Sequence, residues 1–227
     1  MDVGNNLYQF NPTSLTIISV GQVNCSSSSS LYSIALQRNG ILWTTYSDGS
    51  LYKYNLLSKT CTPTSFVANQ SSFAPYTITF LKSTTDSSES LYASQQITNN
   101  SALAKIDTDT FVLSVVGVYS NGLDKPSDNA GLNDGRLFGV FDARPFTIAQ
   151  IDPNNANILA QYPLNLSSTD DNVNYGFTVF NTRFFFFVGN GTYSDLLTYD
   201  LSTNTTTFQY TIPQIIFGAT SSSCLGT

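Results

Sequence analysis

Any chemistry on this chain must be done without histidine: its 227 residues include 15 Asp and Glu, nine Lys and Arg, and no His. That removes His-based triads, His general acid–base catalysis and His-ligated metals. Carboxylate chemistry is left, and glycoside hydrolysis needs two convergent carboxyl groups. The one Glu, Glu89, stands in a polar stretch beside Ser87 and Ser88. Asp107, Asp152 and Asp200 recur at one position of a repeated pattern, and Asp48 and Asp134 precede Gly, so all five read as turn residues. Asp142 and Arg144, in Phe141-Asp142-Ala143-Arg144-Pro145, break the repeat and suit either a polar ligand or a surface ion pair. Asp124, Asp128, Asn129, Asn133 and Asp134 gather oxygen-bearing side chains in one stretch, a weak calcium candidate whose spacing departs from the EF-hand. A solvated Asp/Asn-rich turn explains them as well. The expectation is therefore no catalytic residue, no metal and no cofactor.

Three cysteines, Cys25, Cys61 and Cys224, allow one disulfide and leave one thiol over. Cys25 with Cys61 is favoured because both flank one repeat unit; Cys61 with Cys224, or three free thiols, remain open. Asn24, Asn69, Asn99, Asn165, Asn190 and Asn204 each begin an Asn-x-Ser/Thr acceptor sequence for N-glycosylation. So Asn-, Ser- and Thr-rich a chain produces about that many by chance, and only their placement at expected turns, for Asn99, Asn190 and Asn204, adds weight.

The elements that would position these residues follow from a repeat. Apolar, any, polar, apolar, Asx recurs as Leu7-Tyr8-Gln9-Phe10-Asn11, Leu51-Tyr52-Lys53-Tyr54-Asn55, Leu103-Ala104-Lys105-Ile106-Asp107, Ile148-Ala149-Gln150-Ile151-Asp152 and Leu196-Leu197-Thr198-Tyr199-Asp200. The Asx positions advance by 44, 52, 45 and 48 residues. Turn formers and a second apolar or Thr-rich run follow each copy, which reads as strand, Asx-anchored hairpin, strand. Upstream, apolar pairs at Leu42-Trp43, Leu91-Tyr92, Leu137-Phe138 and Phe184-Phe185 mark another hairpin, two of them preceded by Asn39-Gly40 and Asp134-Gly135. Still earlier lie short strands such as Ser33–Leu36, Tyr76–Phe80 and Phe177–Phe180.

Four strands in about 47 residues is the unit of a propeller blade. The expected fold is all-β, a single β-propeller over 1–227 with whole blades near 31–67, 75–119, 128–165 and 174–213. Fragments 1–24 and 214–227 would share a fifth blade, with Ile215–Thr220 as its innermost strand and the N-terminal piece as its two outer ones. The innermost strands are expected to present Ser, Thr, Ala, Gln and aromatics to the central funnel, and no carboxylate. An irregular β-sandwich is the alternative.

Charged residues make up 11% and aromatics 13% of the chain. Such apolar content excludes intrinsic disorder, and a net charge of −6 with few scattered cations excludes nucleic acid as a partner. The longest apolar run, Phe184–Val188, is too short for a membrane span. No signal peptide opens the chain as written, which fits an intracellular protein or a mature form.

The runs Ser33-Ile34-Ala35-Leu36-Gln37-Arg38-Asn39-Gly40-Ile41-Leu42-Trp43 and Tyr46-Ser47-Asp48-Gly49-Ser50-Leu51-Tyr52-Lys53 resemble the opening blade of a family of secreted propeller-like proteins found in myxobacteria. Leu132–Gly139, Ile148–Asp152 and the ending Ile216–Cys224 fit it too. The resemblance implies a secreted propeller and carries no chemistry. Together these readings predict a non-catalytic propeller, extracellular or at the cell surface, that serves as a structural or assembly subunit of a coat or filament. Its partners would be copies of itself or other extracellular proteins and glycans. The second expectation is a glycan- or protein-binding propeller using exposed Tyr and Trp; a carbohydrate-active enzyme comes third.

Overall fold

A computed structural model describes residues 1–97, 100–123, 126–141, 146–164 and 174–222. It opens with a hairpin of β1 (Asn6–Asn11) and β2 (Thr16–Gln22). Four antiparallel meanders of four strands follow. The first is β3 (Leu31–Leu36), β4 (Ile41–Tyr46), β5 (Leu51–Asn55) and β6 (Thr60–Pro63). The second is β7 (Tyr76–Lys82), β8 (Glu89–Gln95), β9 (Ala102–Ile106) and β10 (Leu113–Val118). The third is β11 (Pro126–Gly131), β12 (Leu137–Phe141), β13 (Thr147–Ile151) and β14 (Ile158–Pro163). The fourth is β15 (Asn174–Phe180), β16 (Arg183–Gly189), β17 (Ser194–Asp200) and β18 (Thr205–Ile212). Their first strands β3, β7, β11 and β15 pack side by side around one axis, the arrangement of a β-propeller.

The blades number four, not five. The expected shared blade is instead the two-stranded β1–β2 sheet, and the C-terminal segment pairs with Met1–Val3, which lead into it, through the bridge between Asp2 and Ile216 and the backbone hydrogen bonds on either side. It still fills a fifth sector. Five apolar clusters line five seams. Trp43 and Phe80 meet between blades one and two, Tyr92 and Phe141 between two and three, and Phe138 and Phe184 between three and four. Phe185, Phe187 and Phe10 lie between blade four and β1, and Leu7, Leu42 and Tyr54 between β1 and blade one. The Phe184–Phe187 run follows from this plan: a second strand is sandwiched between two neighbours, so both of its faces are apolar and all four rings are buried.

The Asx repeat ends the third strand of every blade. Asn11 Oδ1 accepts from the Thr13 and Ser14 N–H groups, Asn55 Oδ1 from Leu57 and Ser58, and Asp107 Oδ1 from Asp109 and Thr110. Asp152 and Asp200 accept likewise from Asn154 and Ser202. Four residues on, Leu15, Lys59, Phe111, Ala156 and Asn204 all have φ between 53° and 64°, the left-handed region. One turn geometry thus repeats five times, β1 included. Trp43 is buried, so the one Trp is closed to a ligand, contrary to expectation.

Cys25 and Cys61 are joined in a disulfide across 36 residues, with Cα atoms 5.2 Å apart, tying the end of the β1–β2 hairpin to the outermost strand of blade one. Cys224 lies outside the described residues. Since the crosslink removes loop freedom from the unfolded chain, Cys61→Ser lowers stability by about 2–4 kcal/mol in urea denaturation. Lys59→Gly is expected to raise stability by about 0.5–1 kcal/mol in the same assay, because Gly takes a left-handed φ without the Cβ penalty.

Candidate functional site

An enzyme of this architecture would hold its carboxylates at the axis, and one is there after all. β11, with the sequence Pro-Ser-Asp-Asn-Ala-Gly, places Asp128 on an innermost strand, 5% exposed. Its Oδ1 accepts from the Asn129 N–H at 2.9 Å and its Oδ2 from the Phe177 N–H at 3.1 Å. Burial pushes this carboxyl well above the usual carboxylate range, and the two backbone donors offset only part of that. Both oxygens are spent on backbone, and no hydrogen bond joins Asp128 to a second carboxylate among the described residues.

Its bond to Phe177 is one of three that join successive first strands around the axis. Ser33 Oγ of β3 accepts from the Ile78 N–H of β7 at 3.1 Å, and Thr79 Oγ1 of β7 from the Gly131 N–H of β11 at 3.2 Å. Asp128 links β11 to β15. Ser194 Oγ of blade four accepts from the Ile216 N–H at 2.8 Å, and Thr220 Oγ1 from the Leu36 N–H of β3 at 3.2 Å. Asn129 Nδ2 adds bonds to Thr77 Oγ1 and Ser94 Oγ.

The calcium candidates are thereby separated. Asp128 and Asn129 face the interior between blades, whereas Asn133 and Asp134 sit in the β11–β12 hairpin, where Asp134 pairs with Arg136 at 2.7 Å. Asp124 lies outside the described residues, as do Asp142 and Arg144. Among the described residues no three His, Cys, Asp or Glu side chains gather to hold a metal. Asp48 Oδ1 accepts from the Ser50 N–H and hydroxyl, confirming a turn role, and these bonds hold its pKa low. Glu89 Oε1 accepts from the Arg38 N–H, fastening β8 to the β3–β4 turn. Asn24, Asn69, Asn190 and Asn204 are exposed; Asn99 and Asn165 lie outside the described residues.

The strongest candidate site is one no motif announced. A cavity of about 460 Å³ opens between the β1–β2 sheet, blades one and four, and the C-terminal segment, within the size range of ligand sites. Its walls are apolar: Leu7 and Phe10 from β1, Ile34 from β3, Phe185 and Phe187 from β16, and Ala219. Lys59, exposed, contributes a cation. One end is closed by a tight knot. The Asp2 carboxylate accepts from the Gly4 and Asn6 N–H groups, both at 2.9 Å, and from the Tyr8 hydroxyl at 2.8 Å. Burial opposes that charge, but the hydrogen bonds outweigh it and keep the Asp2 pKa low, while burial and Asp2 push the Tyr8 phenol up to about 12. On either side of Asp2, the Val3 N–H reaches Ile215 O and the Phe217 N–H reaches Met1 O, each at 3.1 Å.

No protein-family model matches the chain, and no curated protein matches it. Solved structures share its fold at low identity. A chain of a nidogen–laminin complex aligns with a TM-score of 0.59 and 10% identity over 96% of this chain and 95% of its own. A GH43 glycoside hydrolase engineered for endo-xylanase and exo-arabinofuranosidase activity gives 0.59 and 10% over 82% and 42%. The hydrazine synthase of Kuenenia stuttgartiensis gives 0.54 and 12% over 90% and 60%. The chain thus spans about two fifths to three fifths of the two enzyme chains. Enzymes and a chain from a protein complex share one architecture, and its site decides function.

The raised pKa of Asp128 has a signed consequence. Between the unfolded value near pH 4 and the raised folded value, the folded state binds more protons, so this group's contribution to stability falls as pH rises. In urea denaturation from pH 4 to 8, the stability of the wild type relative to Asp128→Asn is expected to decline with pH. A pH-independent difference contradicts it.

Proposed function

We propose that this chain is a non-catalytic binding propeller of the extracellular space, which holds a protein partner at the apolar cavity beside the β1–β2 sheet. The cavity carries the reading: it is a formed, largely apolar concavity with a few polar groups at its margin, the composition of a recognition site rather than of a hydrolytic one. The axis supports the non-catalytic half, because Asp128 is consumed by two backbone donors. The disulfide and the exposed acceptor asparagines support the compartment, since disulfides persist in oxidising surroundings. Among the described residues no helix is long and apolar enough to cross a membrane.

Assembly of copies into a coat or filament is the homotypic form of this reading. What favours it is the row of exposed apolar side chains on outermost strands, Ile18 on β2, Val115 on β10, Leu159 on β14 and Phe208 on β18, each more than half exposed.

A fluorescent apolar probe, anilinonaphthalene sulfonate, tests the cavity directly. It should bind the folded protein with one-to-one stoichiometry, and Ala219→Phe, which puts a ring among the lining residues, should weaken binding at least tenfold. Binding undiminished by that substitution would place the apolar site elsewhere. Release of sugar from xylan or arabinan that is lost in Asp128→Asn would return the chain to the enzymes.

A further inference from the structure

The acceptor asparagines are not equivalent in the fold, which describes four of them: Asn24, Asn69, Asn190 and Asn204. Neighbouring first strands run the same way, because Thr77 and Thr79 of β7 meet Asn129 and Gly131 of β11. Each blade is an antiparallel meander, so the turns from first to second strand gather at one end of the axis. The turns from second to third strand, and the connections between sectors, gather at the other. Asn190 stands in the β16–β17 turn of that second end, and Asn24 and Asn69 stand in the connections that lead into β3 and β7. Asn69 is seated against the β4–β5 turn: its backbone nitrogen lies 3.5 Å from where a Cβ on Gly49 would be.

All four are exposed, yet they differ in what a sugar transferase would meet. Transfer needs the Asn amide nitrogen and the hydroxyl two residues on to be free together, on a chain that can bend into an enzyme's site. Asn24, Asn69 and Asn190 satisfy this. Their Nδ2 groups, and the hydroxyls of Ser26, Ser71 and Thr192, make no hydrogen bond among the described residues. Asn190 is already set in a bend: its Oδ1 accepts from the Thr192 and Tyr193 N–H groups, both at 3.1 Å, and a Cβ on Gly191 would meet nothing within 4 Å. Asn204 differs. Thr205 and Thr206 already belong to β18, with Thr206 paired to Tyr199, and the Asn204 Oδ1 is held by the Tyr199 hydroxyl at 2.9 Å. A hairpin so local forms within microseconds and keeps that acceptor extended.

Apolar side chains beside two of the free acceptors point the same way. Val67, 70% exposed, precedes Asn69 by two residues, and Tyr193, 37% exposed, follows Thr192. On a surface so poor in charge, sugar at these places covers apolar groups and favours solubility.

Resting on the reading of the chain as extracellular, we propose that Asn24, Asn69 and Asn190 carry N-linked glycans while Asn204 stays bare, so that sugar covers one end of the propeller. The donor is an oligosaccharide joined through a diphosphate to a lipid. Asn Nδ2 attacks its anomeric carbon, and the N–C bond forms as the C–O bond to the diphosphate breaks. The lipid diphosphate leaves with that electron pair, and the amide gives one proton to a base of the transferase.

The test is secretion of the whole chain from a eukaryotic cell line, then treatment with peptide-N-glycosidase in heavy-oxygen water, which turns each glycosylated Asn into a labelled Asp. Mass spectrometry should find label at Asn24, Asn69 and Asn190, and at least fivefold less at Asn204. Asn69→Gln and Asn190→Gln should each remove one glycan from the intact mass. A bare Asn24, Asn69 or Asn190, or an Asn204 labelled as fully as Asn190, overturns the proposal. Protein from its native cells tells this apart from a failure of the compartment. If it is outside the cell and crosslinked through Cys25 and Cys61 but free of N-linked sugar, only the glycans are wrong; if it is cytosolic with both thiols free, the extracellular reading falls too.

Discussion

The inner edge of each first strand is the constraint on which this fold depends. Four strands of a blade pair with one another, but β3, β7, β11 and β15 turn an edge toward the axis, where no further strand fits. An unpaired N–H in that dry space costs about 1–3 kcal/mol. The chain answers with short oxygens on the first strands: Ser33, Thr79 and Asp128 each receive an N–H from the next blade's first strand, and Thr220 of the C-terminal segment receives that of Leu36 on β3. Side chains so short reach across only if the backbones nearly touch. Glycine permits it: a Cβ on Gly131 would collide with the Phe80 carbonyl oxygen, and one on Gly176 would lie 3.2 Å from the Gly218 carbonyl carbon. Polar closure at the axis and close packing are therefore one requirement. That is also why a carboxylate sits at Asp128: both of its oxygens close backbone N–H groups.

Outside that ring the seams are apolar, and this accounts for the scarcity of charge. Each blade is a thin sheet with neighbours on both faces, so only its outermost strand and its turns meet water. Phe10 sits edge-on to Phe185 and Phe187 with centroids 5.2 and 5.4 Å away, and Trp43 lies 5.9 Å from Phe80. Charged side chains are few in such seams; Lys53 enters one only with its ammonium 4.3 Å from the Trp43 ring centre and 4.9 Å from that of Phe111. The turns are built by Asx and hydroxyl side chains that bond the backbone locally, so they need few ion pairs. The pair of Asp134 and Arg136 is partly exposed and adds little.

Much of this was legible because the Asx turn is a local device. A side-chain oxygen that caps the N–H groups two and three residues ahead needs no tertiary help, so its five copies marked every third strand before any sheet was seen. The second strands were legible through hydrophobic content, as in Leu42-Trp43 and Phe184–Phe187. β11 was not. Its Pro, Ser, Asp, Asn and Gly are turn formers, and only the neighbouring strands make it extended: Thr79 takes its Gly131 N–H, and Asp128 takes that of Phe177. Tertiary contacts overrode local preference there, which hid the axial carboxylate of Asp128. The blade count failed for a related reason. A repeat scan counts Asx strands and finds five, whereas a blade needs its second strand as well, and beside β1 that place is taken by Met1–Val3 alone among the described residues.

This shortfall makes the fifth sector different in kind. Elsewhere a sector is held to the axis by three ladders in series; here Met1–Val3 alone carry backbone hydrogen bonds to the C-terminal segment, and β1–β2 is otherwise held by side chains. The Tyr210 hydroxyl reaches Leu15 O at 2.5 Å from blade four, the Tyr54 hydroxyl reaches Gln22 O at 3.2 Å from blade one, and the disulfide anchors the far end. These ties fix β1 at its ends and flanks while Leu7 to Phe10 lie along the cavity. β1 therefore owes its position to side-chain ties and to the crosslink more than to a continuous sheet.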